Sequence, residues 1–245
     1  MLRNKPTRQP TESLYEFASH TIPEAALALG MDPWTLRSWY SKSQPILTPS
    51  AWYGDESHIA LLSFRDIEEA YKLHLLRTKH GLTMQYLERA LREARKESDS
   101  EHPLIECKLM VFEYLALEKP AKGRSSRKTL PLGFSGQKSQ LIPEVVDTWG
   151  RRIVANSHGR TVRIFPWREA KTDDSSRPVS IDPEVMSGRA VITGTRIPIK
   201  VIKKRSVDGD SPEQIADAYG IDRDLVAQAL IHLDQETQRA VRTLS

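Results

Sequence analysis

A single cysteine, Cys107, stands among the 245 residues, so no internal disulfide can form. It lies in an apolar run, Leu104 to Leu117, and reads as a buried structural thiol, not a redox centre. No stretch approaches the roughly 18–20 uninterrupted apolar residues of a helical membrane span, so no membrane partner is expected. The first ten residues are polar and basic, without the apolar centre of a secretion signal, and the expected location is the cytoplasm. Seven histidines, at 20, 58, 74, 80, 102, 158 and 232, lack the close Cys/His or His-x-x-x-His spacing that puts two metal ligands on one face. No metal and no cofactor are expected. A catalytic constellation is missing too. The acidic run Asp208-Gly-Asp-Ser-Pro-Glu213 begins like a calcium loop, but Pro212 and Glu213 replace the residues such a loop requires and its sixth position is not glycine. These acids suit a turn and a helix N-terminus, and the chain is not read as an enzyme.

What is present is a hydrophobic content of 39%, adequate for one to three modest cores, and an uneven charge. Residues 119–171 carry twelve Lys/Arg against three acids, Glu144, Asp147 and Glu169. Such a stretch either attracts nucleic acid through counterion release or forms a solvated surface and linker.

The punctuation divides the chain into an arm over 1–14, a first domain over 15–100, a middle module over 102–169, a linker over 170–178 and a last domain over 179–240. The fold class is α+β, mainly helical. Thr21-Ile-Pro-Glu24 is a capping box opening a short helix to Leu29; Gly30 ends it, and Asp32 with Pro33 opens a second helix to about Tyr40. Ser63 with Asp66 caps a third, with Phe64, Ile67, Tyr71 and Leu75 on one stripe and Gly81 as its stop. Thr83 opens a fourth, with Met84, Leu87, Leu91 and Ala94 on its apolar face. In the middle module Leu109 to Leu117 reads as a strand, Ile153–Ala155 and Val162–Phe165 as a hairpin about Asn156-Ser-His-Gly159, and Pro143 to Trp149 as a short helix. A second, shorter hairpin brackets Gly194-Thr195, where Gly194 allows the turn, Thr195 bonds local backbone and Arg196 is available to a carboxylate or phosphate. A helix over Lys200 to Val207 follows, then the capping box Ser211-Pro-Glu-Gln214, a helix to Tyr219, and a last helix from Arg223 to about Arg239.

Two capped helix pairs are thus displaced by 190 residues. Ala26 aligns with Ala216, Ala28 with Ala218, Gly30 with Gly220, Met31 with Ile221 and Asp32 with Asp222. A helix-turn-helix needs a small residue in its first helix, a glycine in its turn and an apolar residue under the second helix, here Leu36 and Val226. Surface chemistry separates the two units. The second helix of the first presents Trp34, Thr35, Arg37 and Ser38, followed by Lys42, groups that can contact bases and phosphates. Trp39 reads as core; Trp34 suits either core or interface. Across Ser211 to Asp234 five acids face one arginine, so the second unit repels phosphate and reads as a protein-interaction or dimerisation unit. Arg196, Lys200, Lys203 and Lys204, just upstream of it, offer contacts to phosphate or to a partner.

Ile22-Pro-Glu-Ala-Ala26 through Trp39, followed by the paired helices 63–80 and 83–97, resembles a MerR-like winged helix-turn-helix. Its wing region, Ala51 to Leu62, has no Lys or Arg. Ile181-Asp-Pro183, Gly188, Ala190-Val-Ile-Thr-Gly-Thr-Arg-Ile-Pro198 and Asp210-Ser-Pro-Glu-Gln-Ile-Ala216 resemble the small bacterial family catalogued as domain of unknown function four-three-three. The order of parts is similar to the VapB-type antitoxins that carry their own DNA-binding domain. That resemblance implies an antitoxin that binds double-stranded DNA, represses its own operon and neutralises a PIN-like ribonuclease toxin. The alternative is a MerR-like regulator with a sensing module and no toxin partner. A homodimer is expected, because such readers occupy paired half-sites, with helix 83–97 or the acidic C-terminal unit as its interface.

Overall fold

Thr21 carries out the capping predicted for it. In this computed structural model, the described residues are 14–43, 45–54, 59–98, 101–106, 149–167 and 177–244, with side chains described as far as Asp234. The Glu24 N–H donates to Thr21 Oγ1 over 3.4 Å, and Glu24 Oε2 accepts the Thr21 N–H over 3.2 Å. They open α1 (Ile22–Leu29), which ends at Gly30 with φ 65°, a left-handed conformation that glycine adopts without a Cβ penalty. Asp32 Oδ2 then accepts the Thr35 N–H at 2.7 Å and starts α2 (Pro33–Trp39).

β1 (His20–Thr21), β2 (Ala51–Tyr53) and β3 (Ile59–Leu62) form an antiparallel sheet in the order β1-β3-β2, pairing His20 with Leu62 and Trp52 with Ala60. Ser63 and Asp66 form the next capping box, at the head of α3 (Phe64–Thr78). Asp66 also fixes what precedes it: its Oδ2 accepts the Ser50 N–H at 2.9 Å, and its backbone carbonyl accepts the Tyr40 hydroxyl at 3.0 Å. α3 stops at Thr78, three residues before Gly81, because Lys79 still donates to Leu75 while the chain then turns so that Leu82 N–H reaches the Leu76 carbonyl. α4 (Met84–Ser98) lays Leu87, Leu91 and Ala94 into the core; Met84 is only partly covered. The short α5 (Pro103–Glu106) packs on α3, where Glu69 Oε1 accepts the Leu104 N–H at 3.1 Å.

The hairpin expected about Asn156–Gly159 is present as β4 (Ile153–Ala155) and β5 (Thr161–Ile164), with Asn156 Oδ1 accepting the N–H groups of His158 and Arg160 at 3.0 Å each. It is seated on α3. Thr161 Oγ1 donates to Glu68 Oε1 at 2.6 Å, and the Tyr71 hydroxyl donates to the Pro166 carbonyl at 2.9 Å. Beneath it lies a buried ion pair, Glu68 with Lys72, whose ammonium stands 5.2 Å from the Trp149 ring centre. The expected strand at Leu109–Leu117, Cys107, most of the helix over 143–149, the linker core 168–176 and residues 1–13 lie outside the described residues.

The C-terminal hairpin expected about Gly194–Thr195 is present: the Ile192 N–H donates to the Ile197 carbonyl and the Ile199 N–H to the Ala190 carbonyl, at 3.0 Å each. β7 (Val191–Ile192) meets Pro198 in an antiparallel bridge on that edge and pairs with β6 (Val179–Ser180) on the other. Ile164 and Ile181 bridge with both bonds at 2.9 Å, so β5 continues into the C-terminal strands and the middle hairpin is not a separate body. α6 (Ile199–Val207), α7 (Pro212–Tyr219) and α8 (Arg223–Leu244) follow, α8 running five residues beyond Arg239. No helix among the described residues is long and apolar enough to cross a membrane.

The two modules meet at β1. His20 is 4% exposed, with its Nδ1 at 3.3 Å from the Leu62 carbonyl and its other edge against Gly188. A Cβ built at residue 188 would stand 3.3 Å from His20 Cε1. Burial holds the His20 imidazole below its ordinary pKa, against the pull of the Leu62 carbonyl and of Glu24.

Candidate nucleic-acid interface

Helical spacing sorts α2 into two faces. Leu36, Trp39 and Tyr40 are buried at 0–2% exposure, while Trp34, Arg37 and Ser38 stand on the other side, Trp34 at 71%. The open choice for Trp34 is thereby resolved toward the surface, and Trp39 is core as expected. The Arg37 guanidinium lies 5.9 Å from the Trp34 ring centre and the Lys42 ammonium 5.1 Å from the Trp52 ring centre. Each cation is held against a ring and remains exposed to solvent.

Between α2 and the sheet runs a groove of about 580 Å³, with Trp34, Arg37, Ser38 and Lys42 on the helix side and Trp52 and Ile59 on the strand side. Thr21, Ile22 and Pro23, around the start of α1, also line it. Four of the five expected contact residues are therefore brought together. Thr35 is not among them: it is half-buried, its N–H is committed to Asp32 and its carbonyl accepts the Ser38 hydroxyl at 2.7 Å.

Trp52, Tyr53 and Ile59 went unread as candidate residues, although all are exposed. The aromatic pair between Pro49 and Gly54 marks a strand, but which of its faces is uncovered depends on what packs across the sheet. The basic C-terminal residues are dispersed in their partnerships. Lys204 pairs with Asp208 at 2.5 Å, Lys200 with Glu24 at 3.4 Å, Lys203 is half-buried, and Arg196 is exposed just after the Gly194–Thr195 turn. In that turn Thr195 Oγ1 donates to the Ile192 carbonyl at 2.8 Å and accepts the Ile197 N–H at 3.0 Å, as expected of it.

The second helix pair repeats the backbone of the first. Met31 N–H reaches the Ala26 carbonyl at 2.9 Å and Ile221 N–H the Ala216 carbonyl at 3.1 Å; Leu36 and Val226 are both fully buried. Its surface differs. Where the first pair has Trp34, Arg37 and Ser38, the same displacement gives Asp224, Ala227 and Gln228. Glu213 is paired with Arg223, and His232 of α8 sits 5.6 Å from the Trp167 ring, so this last helix helps to hold the middle hairpin. Among the described residues no group of three or more His, Cys, Asp or Glu side chains is placed to hold a metal.

Residues 179–232 match the family model described as protein of unknown function (DUF433). That span runs from β6 into α8 and bears out the resemblance read from Ile181 to Ala216. The chain is also similar in fold to a crystal structure described as Rv2018 from Mycobacterium tuberculosis, with a TM-score of 0.57 and 22% identity. The likeness covers 87% of this chain and 97% of that one, so it extends well beyond the matched C-terminal module. No curated protein matches the chain.

Proposed function

We propose that this protein is a double-stranded-DNA-binding regulator whose first module is a MerR-like winged helix-turn-helix, and that it acts as a VapB-type antitoxin. The observation that carries the DNA reading is the uncovered face of α2: Trp34, Arg37, Ser38 and the nearby Lys42 line one groove opposite β2 and β3. A capped helix with its N-terminal residues projecting is the form in which recognition helices enter a major groove. Arg37 offers the two parallel donors that guanine O6 and N7 accept, and Lys42 supplies a phosphate contact. The acidic second unit, with Asp224 where the first has Trp34, is reserved in this reading for a protein partner: a PIN-like ribonuclease toxin or a second copy of the chain. The toxin half rests on the likeness of residues 179–232 to the DUF433 family and on the order of the modules.

The test separates the two roles in one full-length variant. Arg37→Ala weakens binding to the duplex upstream of the chain's own reading frame by about 1–3 kcal/mol in fluorescence anisotropy, while still rescuing growth when co-expressed with the neighbouring ribonuclease. Unchanged affinity removes Arg37 from the readout; failure of the wild-type chain to rescue growth removes the toxin.

A sensing regulator is the second reading, and one observation favours it. A cleft of about 310 Å³ lies between α3 and the tip of the middle hairpin, with Tyr15, Arg65, Glu68, His158 and Arg160 on its walls. In that case operator affinity responds to a small molecule and no ribonuclease co-purifies.

A further inference from the structure

Glu24 is placed awkwardly for a chain that binds DNA. Its neighbours Thr21, Ile22 and Pro23 line the groove beside α2, yet its carboxylate cannot leave, because the capping box of α1 depends on it. Its two oxygens have separate tasks. Oε2 accepts from both the backbone N–H and the hydroxyl of Thr21 at 3.2 Å each, and Oε1 accepts from the Lys200 ammonium at 3.4 Å. Burial works against the charge, but Thr21 and Lys200 keep the carboxyl below its usual pKa, so it is ionised at neutral pH.

Lys200 comes from the other module, 176 residues away. It opens α6 beside Arg189, and both line a shallow apolar depression with His20, Glu24, Ala28 and Ile199. Lys200 remains half-exposed and Arg189 is exposed. An ammonium carries three donors, so pairing with one carboxylate oxygen leaves capacity for a second anion.

We infer that the C-terminal module completes the nucleic-acid face, with Lys200 and Arg189 binding the phosphate backbone of the duplex beside the first turn of α1. This rests on the DNA reading given above. When the second helix of such a pair occupies the major groove, the first crosses the sugar–phosphate backbone. The segment of α1 adjoining the groove is its first turn, where an unopposed Glu24 would repel the strand. Lys200 cancels that charge, and with Arg189 turns the flank from negative to positive. The module that carries the partner-binding unit thus also sets part of the DNA affinity.

The experiment measures binding of the full-length chain to the duplex upstream of its own reading frame, by anisotropy across a salt series. Each neutralised phosphate contributes about 0.9 to the slope of log affinity against log salt. Lys200→Gln and Arg189→Gln are each expected to lower that slope by about one and to weaken binding about eightfold at 0.1 M salt. Lys200→Arg keeps the slope, and adding Glu24→Gln to Lys200→Gln recovers part of the loss. Unchanged slopes in both glutamine variants, with Arg37→Ala still weakening the same complex, overturn the inference and leave the DNA reading standing. No salt-dependent binding by the wild-type chain overturns both.

Discussion

Glu68→Ala is expected to destabilise the protein by about 3–5 kcal/mol, read as a fall in the urea midpoint with little change in slope. Glu68 and Lys72 are 4% and 2% exposed, and removing one partner strands a buried charge whose desolvation is no longer compensated. Thr161, whose hydroxyl donates to the same carboxylate, loses its acceptor as well. Replacing both partners distinguishes charge from volume. Glu68→Leu with Lys72→Met fills the space without ions, and stability is expected to return to within about 1–2 kcal/mol of wild type. If the double variant were as unstable as the single one, the pair would be holding the hairpin on α3 by geometry that no apolar filling replaces.

The second large effect separates two tryptophans on one helix. Trp39 is 1% exposed beneath α2, and Trp39→Ala is expected to cost about 3–5 kcal/mol, the range for a large aromatic deleted from a core. Trp34, five residues earlier and 71% exposed, should give Trp34→Ala a change within about 0.5 kcal/mol by thermal or urea unfolding. The same Trp34 variant should weaken binding to the upstream duplex. A Trp34→Ala protein that unfolds early would show that this ring supports the fold through the Arg37 contact and is not free to meet a ligand.

What the sequence disclosed, and what it hid, follows the range of each interaction. The capping boxes at Thr21, Ser63 and Ser211 and the stop at Gly30 are settled between residues three to six apart, so composition and spacing sufficed to find them. The exposed face of α2 was legible for the same reason, through the 3.6-residue period. Contacts set by the tertiary fold were not. Lys200 reads locally as a contact to phosphate or to a partner, but the carboxylate it meets is 176 residues away. Thr161 and Glu68, 93 residues apart, carry no mark in the local pattern that they meet. Ala28 and Ala218 occupy equivalent positions in the two helix pairs, yet one is 5% exposed and the other open to solvent, and Ala28 borders the depression lined by Ala190 and Ile199, more than 160 residues away.

Gly188 has the backbone of a left-handed residue, φ 78°, as do Gly194 and Gly220, but only at 188 does an added Cβ meet another side chain within 4 Å. At the other two, a substitution is paid for locally in backbone strain. At 188 the methyl arrives against the ring of His20, so the penalty is felt on the first strand of the opposite module. These two positions are therefore expected to drift together across evolutionary time: a lineage that replaces His20 with a smaller side chain gains room at 188, and one that loses the glycine must first shorten the residue at 20. Modules exchanged between lineages would carry that history with them, and a graft that matched every helix but brought the wrong pair would seat imperfectly.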